Sequence, residues 1–240
     1  MIAILVHIYY PDSWRKILLE QLLPLRKYQP RVLINLCNIN SDANHLASVI
    51  RKDFSEAVII ITPNKGKDIG GKLALIDMFL HLRIQSDYII MLHDKLSPQA
   101  IKGENWRKTL FNIISPNLVA GIIHDFEKDK RVGVIGSASF LMNEYNEDTH
   151  QFASTNNKNI KELLERYNIR PISYSFIGGT MFWIRTSIVK SFFQRIPALN
   201  CRETLEKGNI MDHFEGSYTH TWERLMCWIA SAQNYSIKGI

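Results

Sequence analysis

Four short segments of the sequence combine residue types that bind anions or move protons. The first, Pro63-Asn64-Lys65-Gly66-Lys67-Asp68-Ile69-Gly70-Gly71, sets glycines, two lysines and an Asp between an apolar run and an amphipathic one. A strand-to-helix turn of this kind brings backbone amides and the positive end of a helix toward phosphate oxygens. Its spacing is neither a P-loop nor a dinucleotide fingerprint, and the same residues also suit a tight turn capped by Asp68. The second, Leu92-His93-Asp94-Lys95, ends another apolar run. Two carboxylates at such a strand end can hold Mg²⁺ or Mn²⁺ against a diphosphate, but here only Asp94 is acidic. Either Asp94 and His93 bind a divalent ion, or Lys95 supplies the charge in its place.

The third segment, Phe176 to Arg185, contains Gly178, Gly179, Thr180 and Trp183. The glycine pair allows close approach of backbone to an acceptor sugar. Phe182 or Trp183 would stack on a pyranose only if strand alternation turned one of them outward; otherwise both are core. The fourth, Glu215 to Arg224, ends in a helical pattern that puts His220, Glu223 and Arg224 on one face. A carboxylate at a helix start can take a proton from a hydroxyl. Glu215, in a Gly-containing loop, fits that role better than Glu223, whose neighbours His220 and Arg224 suit an orienting or structural one.

The elements that must position these residues follow from hydrophobic periodicity. Apolar, β-branched runs at Ile2 to His7, Val32 to Leu36, Ala57 to Thr62 and Tyr88 to Leu92 predict strands; Trp14 to Leu25, Ala43 to Phe54 and Lys72 to Arg83 predict the helices between them. That alternation predicts an α/β fold, a mostly parallel sheet with helices on both faces. Beyond residue 95 the spacing predicts helix from Trp106 to Lys128 interrupted at Pro116, strand from Val132 to Ile135, a polar loop or lid from Asn143 to Lys158, helix from Ile160 to Tyr167, strand from Thr180 to Arg185, and helices from Ser187 to Arg195 and Thr219 to Ser231. Length predicts one domain over 1–240; the turns that would take a nucleotide fall in 1–100 and the segments that would take an acceptor in 101–240.

Composition narrows the partners. Lys and Arg number 29 against 23 Asp and Glu, giving a net charge of +6, which favours an anionic ligand. The cations are scattered and no nucleic-acid reader motif is present, so nucleic acid is not expected. Three separated cysteines predict free buried thiols in a reducing compartment. No apolar run reaches the length of a membrane span, and the N-terminal one is cut short by His7 and the Tyr9 to Asp12 turn. These features predict a cytoplasmic protein with at most a peripheral contact at the inner membrane face.

Five segments in order, His7 to Asp12, Asn64 to Gly70, Leu92 to Lys95, Gly179 to Arg185 and His220 to Arg224, resemble the rhamnan synthesis protein F family. The resemblance implies a GT-A-like glycosyltransferase fold, a nucleoside-diphosphate sugar donor and a role in building rhamnose-containing or related surface polysaccharide on a glycan or lipid-linked glycan acceptor. Two departures stand out. Asp94 occupies the middle of a His-Thr-Lys motif, and Glu215-Gly216-Ser217 replaces Asp-Gly-Thr. Members of the family are often longer, multi-domain chains. The expected donor crevice is lined by His7, Tyr9, Asn64, Lys65, Gly66, Lys67, Asp68, His93, Asp94 and Lys95, with Asp94 the candidate ligand for Mg²⁺ or Mn²⁺. The acceptor side is expected at Gly178, Gly179, Thr180 and Trp183, and the catalytic groups among Glu215, His220, Glu223 and Arg224. The rival expectation is a catalytically inactive glycan- or nucleotide-binding module in a polysaccharide assembly complex.

Overall fold

The computed structural model describes residues 1–38, 43–94, 103–211 and 215–240, the side chains of 103–106 excepted. In chain order, β1 (Ile2–Ile8) is followed by a π turn (Trp14–Leu18), α1 (Leu19–Leu22) and a 3-10 turn (Leu23–Tyr28), then β2 (Arg31–Cys37), α2 (Ala43–Asp53), β3 (Val58–Thr62), α3 (Lys67–His81) and β4 (Tyr88–His93). The second part runs through α4 (Gly103–Phe111), α5 (Pro116–Lys128), β5 (Val132–Gly136), β6 (Leu141–Asn143), β7 (Tyr145–Asn146), β8 (Gln151–Phe152), α6 (Asn157–Arg166), β9 (Ser175–Ile177) and β10 (Phe182–Arg185). It closes with α7 (Thr186–Phe193), α8 (Ala198–Glu203), α9 (Tyr218–Ser231) and β11 (Ser236–Gly239).

Seven strands form one sheet in the order β11-β5-β10-β4-β1-β2-β3. All neighbours are parallel except β10, which runs antiparallel to both β4 and β5. The α/β class, the mostly parallel sheet and the helices on both faces are therefore as the alternation predicts. Both halves of the chain contribute to this sheet, joined where Met91 of β4 faces Phe182 of β10.

Side-chain alternation splits the core in two. Leu5, Leu33, Met91 and Phe182 point to the face covered by Leu73, Ile76 and Phe79 of α3 and by Trp222, Leu225 and Trp228 of α9. Ile4, Val6, Ile34, Leu92 and Trp183 point to the face covered by Trp14, Leu18, Ile50, Val119 and Ile122. No helix among the described residues is long and apolar enough to cross a membrane.

Local departures have clear causes. Pro24 does not end the first helical segment, because a proline at the start of a new turn needs no amide; the chain continues as 3-10 helix to Tyr28. Pro116 does break the later helix, standing at the first turn of α5. The polar stretch from Asn143 to Lys158 is no open loop: it holds the β7–β8 hairpin, with Phe152 buried against Tyr174 and Trp228, and the start of α6. Cys37, Cys201 and Cys227 are free and buried, and burial pushes their thiols up to about 11, about 12 and about 12 respectively.

The largest shift is in α3, which begins at Lys67 rather than Lys72. Gly70 and Gly71 thus lie inside the helix, where glycine is ordinarily unfavourable. Space requires them. A Cβ on Gly70 would sit 1.7 Å from the Lys65 carbonyl oxygen, and one on Gly71 would sit 2.1 Å from Nδ1 of His7. Gly71→Ala is expected to destabilise the protein by about 1–3 kcal/mol through overpacking. Gly121→Ala, in α5 where nothing lies within 4 Å of the added carbon, should stabilise by about 0.5–1 kcal/mol. Urea unfolding of the two variants checks the contrast.

Candidate functional site

The parallel strands end together, so His7 of β1 pairs in register with Asn35 of β2 on one side and His93 of β4 on the other. All three are buried, and alternation turns them to the α3 face. The antiparallel run of β10 brings the preceding turn, Gly178 to Thr180, to the same edge. Four segments far apart in sequence thus meet over the carboxyl ends of β1 and β4.

Lys72 stands at their junction, with 0% of its side chain exposed. Its Nζ donates to Oδ2 of Asp68 at 3.1 Å, the Thr180 carbonyl at 2.7 Å and Thr180 Oγ1 at 2.5 Å, and lies 3.0 Å from Nδ1 of His93. An ammonium group only donates, so His93 accepts at Nδ1 and carries its proton on Nε2. The Thr180 hydroxyl in turn donates a hydrogen bond to Asp68 Oδ2 at 2.5 Å. A buried charge survives only when paired and hydrogen-bonded, and here Asp68, His93 and Thr180 meet that demand.

The turn that carries Thr180 is itself constrained. Gly179 and Thr180 have φ of +78° and +55°, and the left-handed region is costly for a β-branched residue. Oε1 of Glu223 accepts from the Gly179 amide at 2.6 Å, while Lys72 grips Thr180 from the other side. Glu223 therefore reaches this site through the backbone of the turn.

The other expected residues separate into those at the crevice and those that serve the fold. Tyr9 is fixed by its amide on Asp94 and by its hydroxyl, which accepts from Asn209 Nδ2 at 2.7 Å. Asn64 binds the side chain of the same Asn209, and the Gly66 amide donates to the Glu206 carbonyl at 2.8 Å. Lys65 pairs backbone to backbone with Lys207. Gly66 and Lys67 both have positive φ as the turn enters α3. Lys95 lies outside the described residues.

Trp183 is not an acceptor platform. It is wholly buried on the opposite face of the sheet, its indole nitrogen donating to the Ile113 carbonyl at 2.9 Å. Gly178 keeps its place because a Cβ there would meet Met142 Sδ at 2.8 Å. Arg224 is also structural: its guanidinium holds Glu144 at 2.9 and 2.6 Å and the His220 carbonyl at 2.7 Å, tying the hairpin to α9. His220 lies with Nδ1 2.6 Å from Oγ of Ser217, the residue that caps its helix. Glu215 is exposed, and its carboxylate has no hydrogen-bond partner among the described residues.

Asp94 fails the fit for a divalent ion. Its two oxygens accept from the Tyr9 amide at 2.9 Å, the Tyr10 amide at 2.6 Å and the Ser13 hydroxyl at 2.7 Å. A hard cation needs free carboxylate oxygens; these are spent on the loop after β1. Asp68 already shares its Oδ2 with Lys72 and Thr180. Among the described residues no three His, Cys, Asp or Glu side chains gather as ligands.

Two residues at this edge lacked any periodic or motif signal. Arg202 of α8 donates from Nη2 to the Pro63 carbonyl at 2.9 Å and from Nε to the Gly70 carbonyl at 3.1 Å. Glu206 accepts from the amides of Tyr218 and Thr219 and from the Thr219 hydroxyl, at 2.6, 3.0 and 2.6 Å, satisfying the start of α9. Burial opposes its ionisation, but the bonds from Thr219 and Tyr218 hold its carboxyl below the usual range.

The model of one family, rhamnan synthesis protein F, matches residues 1–235. The chain belongs to that family. No curated protein sequence matches the chain. Among solved structures, the crystal structure of S. aureus TarS is similar at 12% identity and a TM-score of 0.41, over 79% of this chain and 29% of that one. This chain thus spans about 29% of the TarS chain, and so distant a likeness carries no residue roles.

Burial pushes the Asp94 carboxyl up to about 6 from 3.8, against the bonds from Tyr9, Ser13 and Tyr10. Between those values folded Asp94 keeps a proton that the unfolded chain releases, so its contribution to stability falls as pH rises. Burial brings the His7 imidazole down from 6.5 to about 4. Folded His7 stays neutral where the unfolded residue is charged, so its contribution grows as pH rises through that range. Asp94→Asn removes the opposing slope. Its stability is expected to climb with pH between about 4 and 6 more steeply than the wild type's, by up to about 1.4 kcal/mol per pH unit. Urea unfolding across that range would show parallel curves if Asp94 titrates normally.

Proposed function

We propose that this chain is a glycosyltransferase that moves a sugar, rhamnose among the candidates, from a nucleoside-diphosphate donor to a glycan or lipid-linked glycan of the cell surface. Membership of the rhamnan synthesis protein F family over residues 1–235 is the observation that carries it. The convergence of Asp68, His93, Thr180 and Glu223 at one end of a mostly parallel sheet supports it, because ligands of open α/β sheets bind outside the carboxyl ends of the strands. A GT-A-like arrangement is part of the same reading.

In the reaction an acceptor hydroxyl oxygen bonds to the anomeric carbon. The bond from that carbon to the donor phosphate oxygen breaks, and the diphosphate leaves with the electron pair. A carboxylate takes the hydroxyl proton, and Glu215, exposed beside the start of α9, is our candidate. The departing charge needs cations aimed at it. Lys72 contributes by holding Asp68, His93 and the Thr180 turn in place. Since Asp94 is committed to the fold and Lys72 stands between Asp68 and His93, we expect transfer without a divalent ion.

The test is donor hydrolysis and transfer by the purified protein over a panel of nucleotide sugars, with EDTA and with Mn²⁺. Turnover that survives EDTA is expected. Abolition by EDTA with restoration by Mn²⁺ would contradict the metal-free reading, and the absence of turnover with every donor would favour the binding-module alternative. Glu215→Gln should lower kcat by about 10²- to 10⁴-fold with donor affinity nearly unchanged. Glu223→Gln, which weakens the hold on Gly179, should instead raise the donor KM or lower stability.

A further inference from the structure

Lys72 cannot touch a donor directly, because it is sealed and fully partnered. A cation at this edge that is only partly buried and held in a fixed orientation is Arg202. Its Nε and Nη2 are spent on the Gly70 and Pro63 carbonyls, which fixes the guanidinium plane against the turn between β3 and α3. No carboxylate pairs with it among the described residues, and Nη1 has no protein acceptor there. Burial draws its pKa below the usual value.

A rigid, half-desolvated guanidinium without a counter-charge is costly unless an anion completes it. Its surroundings add to the pull. Lys65 and Lys207 lie side by side on neighbouring backbone, and the first turn of α3 has no side-chain cap. His7 Nε2 and Asn35 Oδ1, at the adjoining ends of β1 and β2, are buried without hydrogen-bond partners among the described residues, a cost that polar groups of a ligand would relieve.

We propose that Arg202 is the anion anchor of this crevice, its guanidinium holding a diphosphate group; on the glycosyltransferase reading above, this is the diphosphate of the donor and the leaving group. The anchor comes from α8, late in the chain, and reaches across to the strand ends of the first hundred residues. In this arrangement Arg202 also couples anion binding to the 202–209 segment, which rests on Pro63, Asn64 and Gly66 through the bonds already described.

Calorimetric titration of inorganic pyrophosphate, UDP, dTDP, GDP and the free nucleosides into the wild type, Arg202→Gln and Arg202→Lys tests this. Glutamine keeps a donor for the Pro63 carbonyl and removes the charge. It is expected to weaken pyrophosphate and the preferred nucleoside diphosphate by about ten- to a hundredfold, with Arg202→Lys intermediate. Nucleoside binding should not change, and binding to Arg202→Gln should depend less steeply on ionic strength, which a purely structural role would not produce. Pyrophosphate bound by the wild type through Arg202, with no nucleoside diphosphate bound, upholds the anchor and removes the nucleotide-sugar reading. A nucleoside diphosphate bound equally by wild type, Arg202→Gln and Arg202→Lys removes the anchor and leaves that reading. Binding of neither anion by the wild type overturns the anchor outright.

Discussion

A buried ammonium group cannot stand in an apolar core without partners, and the need to surround Lys72 organises this end of the molecule. Its ligands come from α3 itself (Asp68), from the end of β4 (His93) and from the turn before β10 (Thr180), with Glu223 of α9 bracing that turn. Removing one partner of such a cluster leaves an uncompensated charge, a loss of about 3–5 kcal/mol. The cost explains why the left-handed Thr180 is tolerated, since the turn presents both its carbonyl and its hydroxyl to the same nitrogen.

The glycines of α3 belong to the same constraint. The helix must lie close on β1 and β2 for Lys72 to reach His93, and only residues without a Cβ at 70 and 71 leave room for the Lys65 carbonyl and the His7 ring. Outside this layer, Arg202, Glu206 and Asn209 tie the segment after α8 to the turn at 63–66 and to Tyr9. Asp94 anchors the loop after β1. One edge of the sheet is therefore fixed from three sides, as a site that positions a substrate requires.

Six of the seven strands of the main sheet were legible in the sequence because a sheet buried on both faces selects continuous β-branched runs, as in Ile2 to His7 and Tyr88 to Leu92; the seventh, β11, is a short edge strand with no buried residue and gave no such run. Glycines and charges at strand ends also marked the turn into α3, the end of β4 and the turn before β10, three segments that meet around Lys72. What was hidden had physical reasons. Lys72 sits between Gly71 and Leu73 in a helix, where a lysine ordinarily faces water, and the two glycines before it masked the first turn of that helix. Trp183 could be placed on neither face until it was known that both were covered. Arg202 and Glu206 act through backbone carbonyls and amides distant in sequence, contacts that leave no periodic pattern. Asp94 had the appearance of a metal ligand, and only the fold shows its oxygens committed to Tyr9, Tyr10 and Ser13.

The Lys72 charge and the Asp68 carboxylate form one coupled unit with Thr180 and His93. A double-mutant cycle on Lys72→Met and Asp68→Asn, read by urea unfolding at neutral pH, measures that coupling directly. Asp68→Asn is expected to cost far less in the Lys72→Met background than in the wild type, with a coupling energy above about 1 kcal/mol. Additive losses, with Asp68→Asn equally costly in both backgrounds, would contradict it.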